Sequence, residues 1–345
     1  GDNDTFPLWY NIEVEEERND VRACNLSYLQ TDWYIDQMKR PYYNSPGLPI
    51  SWEEKDYMPG KNEVVWVENR LNAPLEVKKA FQFLHSTDPR TKRDGEGYIP
   101  SDQLYVLSPD SQKINIKKAR RFTRSEMMVM EMLSTNEWQR PMYFAVTIGN
   151  DYHLGLDPYL ELTGLAYRIT PERSANGRPR VNTEVMYDNM LHKFKYGNMN
   201  VPGIYIDENT MRMCRTHRMM FMELAEALYN EGKRDKCLEV LDFAEKMLPG
   251  YNIPYDYTSA TMAVYYYQLG EMDKANAIMT EVADNCAEYL AWGESLAKEQ
   301  RASSQSTLQH QLAVLGYVLQ NMERYQQKEL FNHYYDIYIQ YAAMR

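Results

Sequence analysis

The sequence predicts two domains of different fold class. Residues 1–205 are expected to form an α/β domain, a sheet with flanking helices, because β-like and helical patterns alternate there. Residues 206–345 are expected to form an all-α domain of tetratricopeptide-like helical repeats, because only helical periodicity continues from about Asn209 onward. The length of 345 residues also favours two domains, since about 150 residues is typical of one.

In the first half, cap residues and apolar spacing define the elements. Helices are predicted over residues 6–17, 31–38 and 74–85. Thr123 and Glu126 form a capping-box pattern that begins a methionine-rich helix. Strands are predicted over residues 21–27, 63–68, 104–107, 113–116, 142–148 and 165–169. The order of the strands does not follow from the sequence.

In the second half, two segments share one pattern of small and apolar residues. The first segment contains Leu224-Ala225, Leu228, Gly232, Cys237, Leu241, Ala244 and Pro249. The second contains Met262-Ala263, Tyr266, Gly270, Ala275, Met279 and Val282. The two glycines are 38 residues apart, against about 34 in an ideal tetratricopeptide repeat. A third helical pair, over 307–320 and 324–343, would cap the array. A plain helical bundle is the alternative.

Composition excludes several function classes. The chain has 38 Lys and Arg against 49 Asp and Glu, a net charge of −11, so a nucleic-acid partner is not expected. The four cysteines include no C-x-x-C pair, and the six histidines show no metal-ligand spacing. A P-loop, a G-x-G-x-x-G fingerprint and a G-x-S-x-G elbow are all missing from the sequence. The sequence therefore predicts no cofactor, no metal and no catalytic motif, and it contains no apolar run of the roughly 20 residues that span a bilayer.

Three groups of residues are candidate sites. The first is a polar cluster that could bind a hard cation or act as acids, with helix capping as the alternative: Asp2, Asn3, Asp4 and Asp32. The second is a basic patch for anionic lipid headgroups or phosphate, with a solvated, acid-paired face as the alternative: Lys113, Lys117, Lys118, Arg120, Arg121 and Arg124. The third is a set of aromatics for a repeat groove, with core packing as the alternative: Tyr257, Tyr265, Tyr266, Tyr267, Tyr334 and Tyr335.

Several ordered motifs together suggest a family. They are Gly1-Asp-Asn-Asp-Thr-Phe-Pro-Leu-Trp-Tyr10, Val21-Arg-Ala-Cys-Asn-Leu-Ser-Tyr-Leu29, Thr31-Asp-Trp-Tyr-Ile-Asp-Gln-Met-Lys-Arg40, Trp138-Gln-Arg-Pro-Met-Tyr-Phe-Ala145, Leu154-Gly-Leu-Asp-Pro-Tyr-Leu160 and Met186-Tyr-Asp-Asn-Met190. With these motifs the chain resembles the DUF2723 proteins, polytopic membrane proteins common in Bacteroidetes. That family in turn resembles protein O-mannosyltransferases.

The resemblance implies that catalysis belongs to a membrane domain upstream of Gly1, so no catalytic residue is carried onto this chain. It implies a soluble periplasmic region on the extracytoplasmic side of the inner membrane, tethered through upstream transmembrane helices. The expected partners are that membrane domain and a polypeptide acceptor or envelope protein. The expected function is to support acceptor or partner binding.

Two other functions stay open at this point. One is a stand-alone interaction scaffold of the cell envelope, which a lipoprotein signal upstream would favour over a run of transmembrane helices. The other is a soluble carbohydrate-active enzyme that uses acids such as Asp2, Asp4 and Asp32. A converging set of buried carboxylates in a cleft would favour the enzyme.

Overall fold

The computed structural model describes residues 1–343 and contains two compact units, Gly1–Arg180 and Val181–Arg345. The first combines helices with small mixed sheets, and the second is helical. The sequence places its domain boundary at residues 205 and 206, which is later in the chain than this division. That boundary stays a prediction.

Five helices belong to the first unit. They are α1 (Asp2–Glu13), α2 (Asp32–Lys39), α3 (Glu54–Tyr57), α4 (Val77–His85) and α5 (Arg124–Thr135). The most buried of them is α5, in which nine of 12 residues are buried. Its capping box is confirmed: the Thr123 hydroxyl accepts from the backbone N–H of Glu126, and the Glu126 carboxylate accepts from the N–H of Thr123.

The strands are short, with two to four residues each. They are β1 (Val64–Trp66), β2 (Leu75–Glu76), β3 (Lys92–Arg93), β4 (Glu96–Gly97), β5 (Leu104–Leu107), β6 (Lys113–Asn115), β7 (Arg121–Thr123), β8 (Tyr143–Ala145), β9 (Leu160–Leu162), β10 (Ala166–Ile169) and β11 (Arg180–Val181). They pair in the orders β1-β7, β2-β5-β6, β3-β4 and β11-β9-β10-β8. The β5–β6 hairpin expected from the sequence is confirmed, with Val106 opposite Ile114.

The expectation of one sheet with flanking helices is therefore corrected to several small sheets among helices. The pair β2–β5 is parallel, whereas β1–β7, β3–β4, β5–β6, β8–β10 and β9–β10 are antiparallel. Strands of this length cannot build a layer wide enough to be covered by helices on both faces. The core instead consists of side chains from α2, α4 and α5 and the inner faces of the strands.

Two element predictions near the start of the chain were wrong. The first helix covers Asp2–Glu13 rather than residues 6–17. It ends early because Glu16 and Arg18 adopt positive φ angles of 55° and 54°, which a helix cannot contain. Residues 21–27 do not form the expected strand. There the backbone N–H of Asn25 donates to the Tyr34 hydroxyl at 2.9 Å instead of to a strand partner.

The second unit consists of helices in sequence-adjacent pairs. They are α6 (Thr183–Asp188), α7 (Glu208–Asn230), α8 (Arg234–Met247), α9 (Tyr257–Leu269), α10 (Met272–Ser295), α11 (Lys298–Ser303), α12 (Gln305–Arg324) and α13 (Lys328–Ala342). Contacts are extensive between α7 and α8, α9 and α10, and α12 and α13, and α9 also packs on α7. No helix within residues 1–343 is both long and apolar enough to cross a membrane.

Two of the turns between paired helices contain a glycine at a positive φ angle, whereas the α12–α13 turn has Gln326 at φ 61°. Gly232 ends the α7–α8 turn with φ 76°, and Gly270 ends α9 with φ 87°. An L side chain at such an angle is strained. Small residues close to the turns are fully buried, among them Ala225, Cys237 and Ala275. Because these side chains are small, the neighbouring helices approach closely.

Candidate functional site

Helix α1 presents large apolar side chains to solvent. Phe6, Tyr10 and Val14 are 49%, 54% and 62% exposed, and their spacing of four residues places them on one helix face. Thr5 and Ile12 are the buried residues of this helix. We call Phe6, Tyr10, Val14 and the neighbouring Trp33 the α1 surface.

Trp33 extends this surface through a chain of aromatic contacts. The ring centroids lie 5.6 Å apart for Phe6 and Trp9, 6.2 Å for Trp9 and Tyr28, and 5.9 Å for Tyr28 and Trp33. Trp9 and Tyr28 pack against the core, whereas Trp33 is 55% exposed. The exposed rings of Phe6 and Trp33 therefore pack on Trp9 and Tyr28, which contact the core.

Hydrogen bonds hold α1 in place at both ends. At its start, Asp2 accepts from the Asn25 amide at 3.1 Å and Asp4 accepts from the Thr147 hydroxyl at 2.7 Å. At its end, the Glu13 carboxylate accepts from the Tyr42 hydroxyl at 2.6 Å. Phe6 and Tyr10 thus project from an anchored helix, and Val14 follows at its C-cap.

The predicted polar cluster is only partly brought together. Asp2 and Asp4 lie in the first turn of α1, where carboxylates also favour the helix dipole, and Asn3 beside them is exposed. Asp32 lies instead in the first turn of α2, where it accepts from the N–H of Trp33 at 2.8 Å. Across residues 1–343, His, Cys, Asp and Glu side chains form no group of three or more that could hold a metal ion.

Half of the predicted basic patch is engaged by the protein itself. Lys117 pairs with Glu126 at 3.0 Å and Lys118 with Asp102 at 3.2 Å. Arg124 is buried, and its guanidinium donates to backbone carbonyl groups of the interior. Burial lowers its pKa from the ordinary arginine value. These three residues serve the first unit's own structure.

The other three cations are exposed. The Lys113 ammonium lies over the Tyr105 ring at 4.6 Å, and the Arg121 guanidinium lies over the Trp66 ring at 5.9 Å. Arg120 is exposed next to Arg121. Lys113 belongs to β6 and Arg121 to β7, which are in different sheets.

The six predicted groove tyrosines divide by exposure. Three are buried and hydrogen-bonded to the second unit's own polar groups: Tyr266, Tyr267 and Tyr334. The other three reach solvent, two exposed and one half-buried: Tyr257, Tyr335 and Tyr265. Burial is the main cause of the raised pKa of Tyr267, about 12.

The second unit also contains a cavity of about 290 Å³. It is bordered by α10, α11, α12 and α13, with both apolar and charged side chains in its wall. Leu290, Leu308 and Leu312 form the apolar part, and Lys298 and Arg301 supply the charges.

A comparison with protein families shows the family to which the chain belongs. Residues 1–118 and 108–188 match the family model described as TMEM260-associated domain 2. The matches span 1–188, more than half of the 345 residues. The chain belongs to this family. No curated protein and no solved structure matches it.

The family match corrects the resemblance drawn from the motifs. The DUF2723 assignment was wrong, since the matching family is TMEM260-associated domain 2. The attribution to Bacteroidetes is unsupported with it. TMEM260 is a different family of protein O-mannosyltransferase-like proteins, so an association with a membrane glycosyltransferase-type protein remains indicated.

The α1 surface lies within the matched part of this TMEM260-associated domain. The sequence predicts a helix over residues 6–17 but no exposed apolar surface on it. Leu8 and Ile12 form one apolar stripe of this helix, and Leu8 is exposed in the structure. Phe6, Tyr10 and Val14 are also four residues apart and form a second apolar stripe on the same helix. A helix with two apolar stripes has more apolar surface than one core contact can cover.

Proposed function

We propose that this TMEM260-associated domain is the extracytoplasmic, non-catalytic part of a TMEM260-like membrane glycosyltransferase-type protein. In this proposal its upstream membrane domain carries out sugar transfer, and the first unit docks on that domain. The family match and the apolar α1 surface support the proposal. For a bacterial protein, the proposed location is the periplasm.

The α1 surface is the observation that carries the docking step. Fully covering a large apolar side chain contributes roughly 1.5–3 kcal/mol, and these side chains are about half covered within the chain. Since contiguous apolar patches on a stable domain mark interaction sites, this surface suits an apolar or membrane-embedded partner. Trp33 and Tyr10 add the amphipathic rings typical of such interfaces.

A non-catalytic role is supported by how the acids are used. The carboxylates of Asp2 and Asp4 accept hydrogen bonds that anchor α1, and Asp32 serves at the start of another helix. These side chains therefore have structural tasks. A pair of carboxylates facing one cleft would be needed for glycosidase chemistry.

The helical unit is proposed to support binding of an acceptor polypeptide or partner. Its paired helices, the glycine turns at Gly232 and Gly270, and the buried small residues beside them support a tetratricopeptide-like arrangement. Stacked helix pairs of this kind create extended surfaces on which a polypeptide can lie. Tyr257 and Tyr265 reach such a surface on α9.

The experiment compares sugar transfer to protein by the full-length membrane protein with and without the triple substitution F6S/Y10S/V14S. We expect transfer to fall, because the docking surface loses its apolar side chains. The control V201S/Y205S/Y289S replaces one valine and two aromatic residues that are exposed on the second unit, and it should leave transfer unchanged. Wild-type transfer by F6S/Y10S/V14S protein that is correctly folded would overturn the docking proposal.

A further inference from the structure

Four tyrosines from three helices of the second unit form one row. Tyr229 of α7 and Tyr265 of α9 have ring centroids 5.7 Å apart, and Tyr257 of α9 and Tyr317 of α12 have centroids 4.9 Å apart. Tyr257, Thr261 and Tyr265 share one face of α9, because they are four residues apart. We call this row, with the adjoining Glu223 and Glu226, the tyrosine face.

Two carboxylates of α7 border the row. Burial raises the pKa of Tyr265, and the negative charge of the nearby Glu226 raises it further. Glu223 is half-buried, and its burial together with the charge of Glu226 raises its pKa. Neither carboxylate has an ion-pair partner within the part of the chain that the structure describes, residues 1–343.

Two arginines near this face, one on α7 and one on α8, have partners within the protein. Arg215 pairs with Asp256 at 3.9 Å, and the Arg234 guanidinium lies over the Tyr229 ring at 4.9 Å. The contact of Arg234 illustrates how a tyrosine of this row receives a cation. The remaining rings and the two carboxylates offer the same chemistry to a cation from outside.

We propose that the tyrosine face binds an extended polypeptide segment that carries lysine or arginine side chains. The carboxylates of Glu223 and Glu226 would pair with the cations, and the faces of Tyr257, Tyr265 and Tyr317 would receive the stems and charged heads. Tyrosine suits this task because a large contact area is gained with few rotatable bonds. The inference rests on the proposed role of the helical unit as a polypeptide-binding surface and names its ligand class.

The test measures binding of fluorescein-labelled peptides to the full 345-residue chain by fluorescence polarisation. One peptide repeats Gly-Lys-Gly-Arg, and a second of equal length has glutamine in place of every lysine and arginine. We expect the cationic peptide to bind and the glutamine peptide not to bind. We expect E223Q/E226Q to raise the dissociation constant of the cationic peptide about tenfold, in line with the loss of one half-buried and one exposed ion pair.

The control variant E288Q/E299Q removes two exposed carboxylates from α10 and α11 and should bind like wild type. Y257A should also weaken binding, whereas Y205A, at an exposed tyrosine before α7, should not. Equal binding of both peptides, absence of binding of either, or equal losses in E223Q/E226Q and E288Q/E299Q would each overturn the proposal. Since sugar transfer by F6S/Y10S/V14S protein tests docking alone, either proposal can fail while the other stands.

Discussion

Arg218 is a buried charge that holds a turn together. Its guanidinium donates to the carbonyl oxygens of Leu248, Ile253 and Pro254 at 2.8, 2.7 and 3.1 Å. The segment between α8 and α9 makes these carbonyls available, because it contains no helix to pair them. Burial lowers the pKa of Arg218, and the three charge-assisted hydrogen bonds offset that cost.

We expect Arg218→Met to lower the free energy of unfolding of the second unit by about 3 kcal/mol, because it leaves buried carbonyl oxygens without donors. Urea unfolding followed by circular dichroism measures the change. Arg215→Met is the matched control, since Arg215 lies three residues earlier on α7 and is largely exposed. Equal effects of the two substitutions would contradict the structural role of Arg218.

The burial of Arg218 and Arg124 could not be predicted from the sequence. Charged side chains are normally solvated, so Arg124 was grouped with its basic neighbours in a surface patch. Whether an arginine is buried depends on carbonyl groups supplied by distant segments, such as Gln30 and Lys61 around Arg124. Such partners leave no local pattern in the sequence.

At the scale of elements, the sequence predicts correctly those structures whose partner residues lie close together in the chain. The Thr123 capping box and the β5–β6 hairpin were predictable because their partners are a few residues apart. The strand expected over residues 21–27 is absent. There the backbone N–H of Asn25 donates to a side chain, the Tyr34 hydroxyl, and strand-like spacing of apolar residues does not reveal such a contact. The number of strands in each sheet could not be predicted either, since it depends on pairing between strands that are far apart in the sequence.

The capping box gives a prediction at this scale. We expect Thr123→Ala to lower the free energy of unfolding of the first unit by about 1 kcal/mol, because the N–H of Glu126 loses its acceptor. Thr123→Ser keeps the hydroxyl oxygen and should cost less than half as much. Thermal denaturation of the two variants beside wild type measures both, and identical melting temperatures for the two would count against the cap.

At the scale of the molecule, the net charge of −11 and the apolar α1 surface predict opposite responses to salt. Raising NaCl from about 0.05 to 0.5 M shortens the screening length severalfold. We expect binding of the cationic peptide to weaken, while docking through the α1 surface stays constant or strengthens. Titrations of peptide and of the detergent-solubilised membrane domain at both salt concentrations measure this, and a parallel response of the two would contradict the assignment of the surfaces.

The tyrosine face could be predicted from the sequence only in part. Sequence reasoning identified aromatic residues of α9 but could not separate Tyr257 and Tyr265 from the buried Tyr266 and Tyr267, because consecutive tyrosines give no helical stripe. It could not join α9 to Tyr229 and Tyr317 either, since that needs the packing of three helices. Periodicity locates a face on one helix and carries no information on its neighbours.

The short strands of the first unit have a consequence for aggregation. A strand edge becomes a template for another chain when it offers a long row of unpaired N–H and carbonyl groups. Edges of two to four residues, such as β2 and β11, offer too few donors and acceptors in register to capture a foreign strand. The first unit can therefore expose an apolar helix for docking without also exposing a sheet edge that would promote amyloid-like assembly.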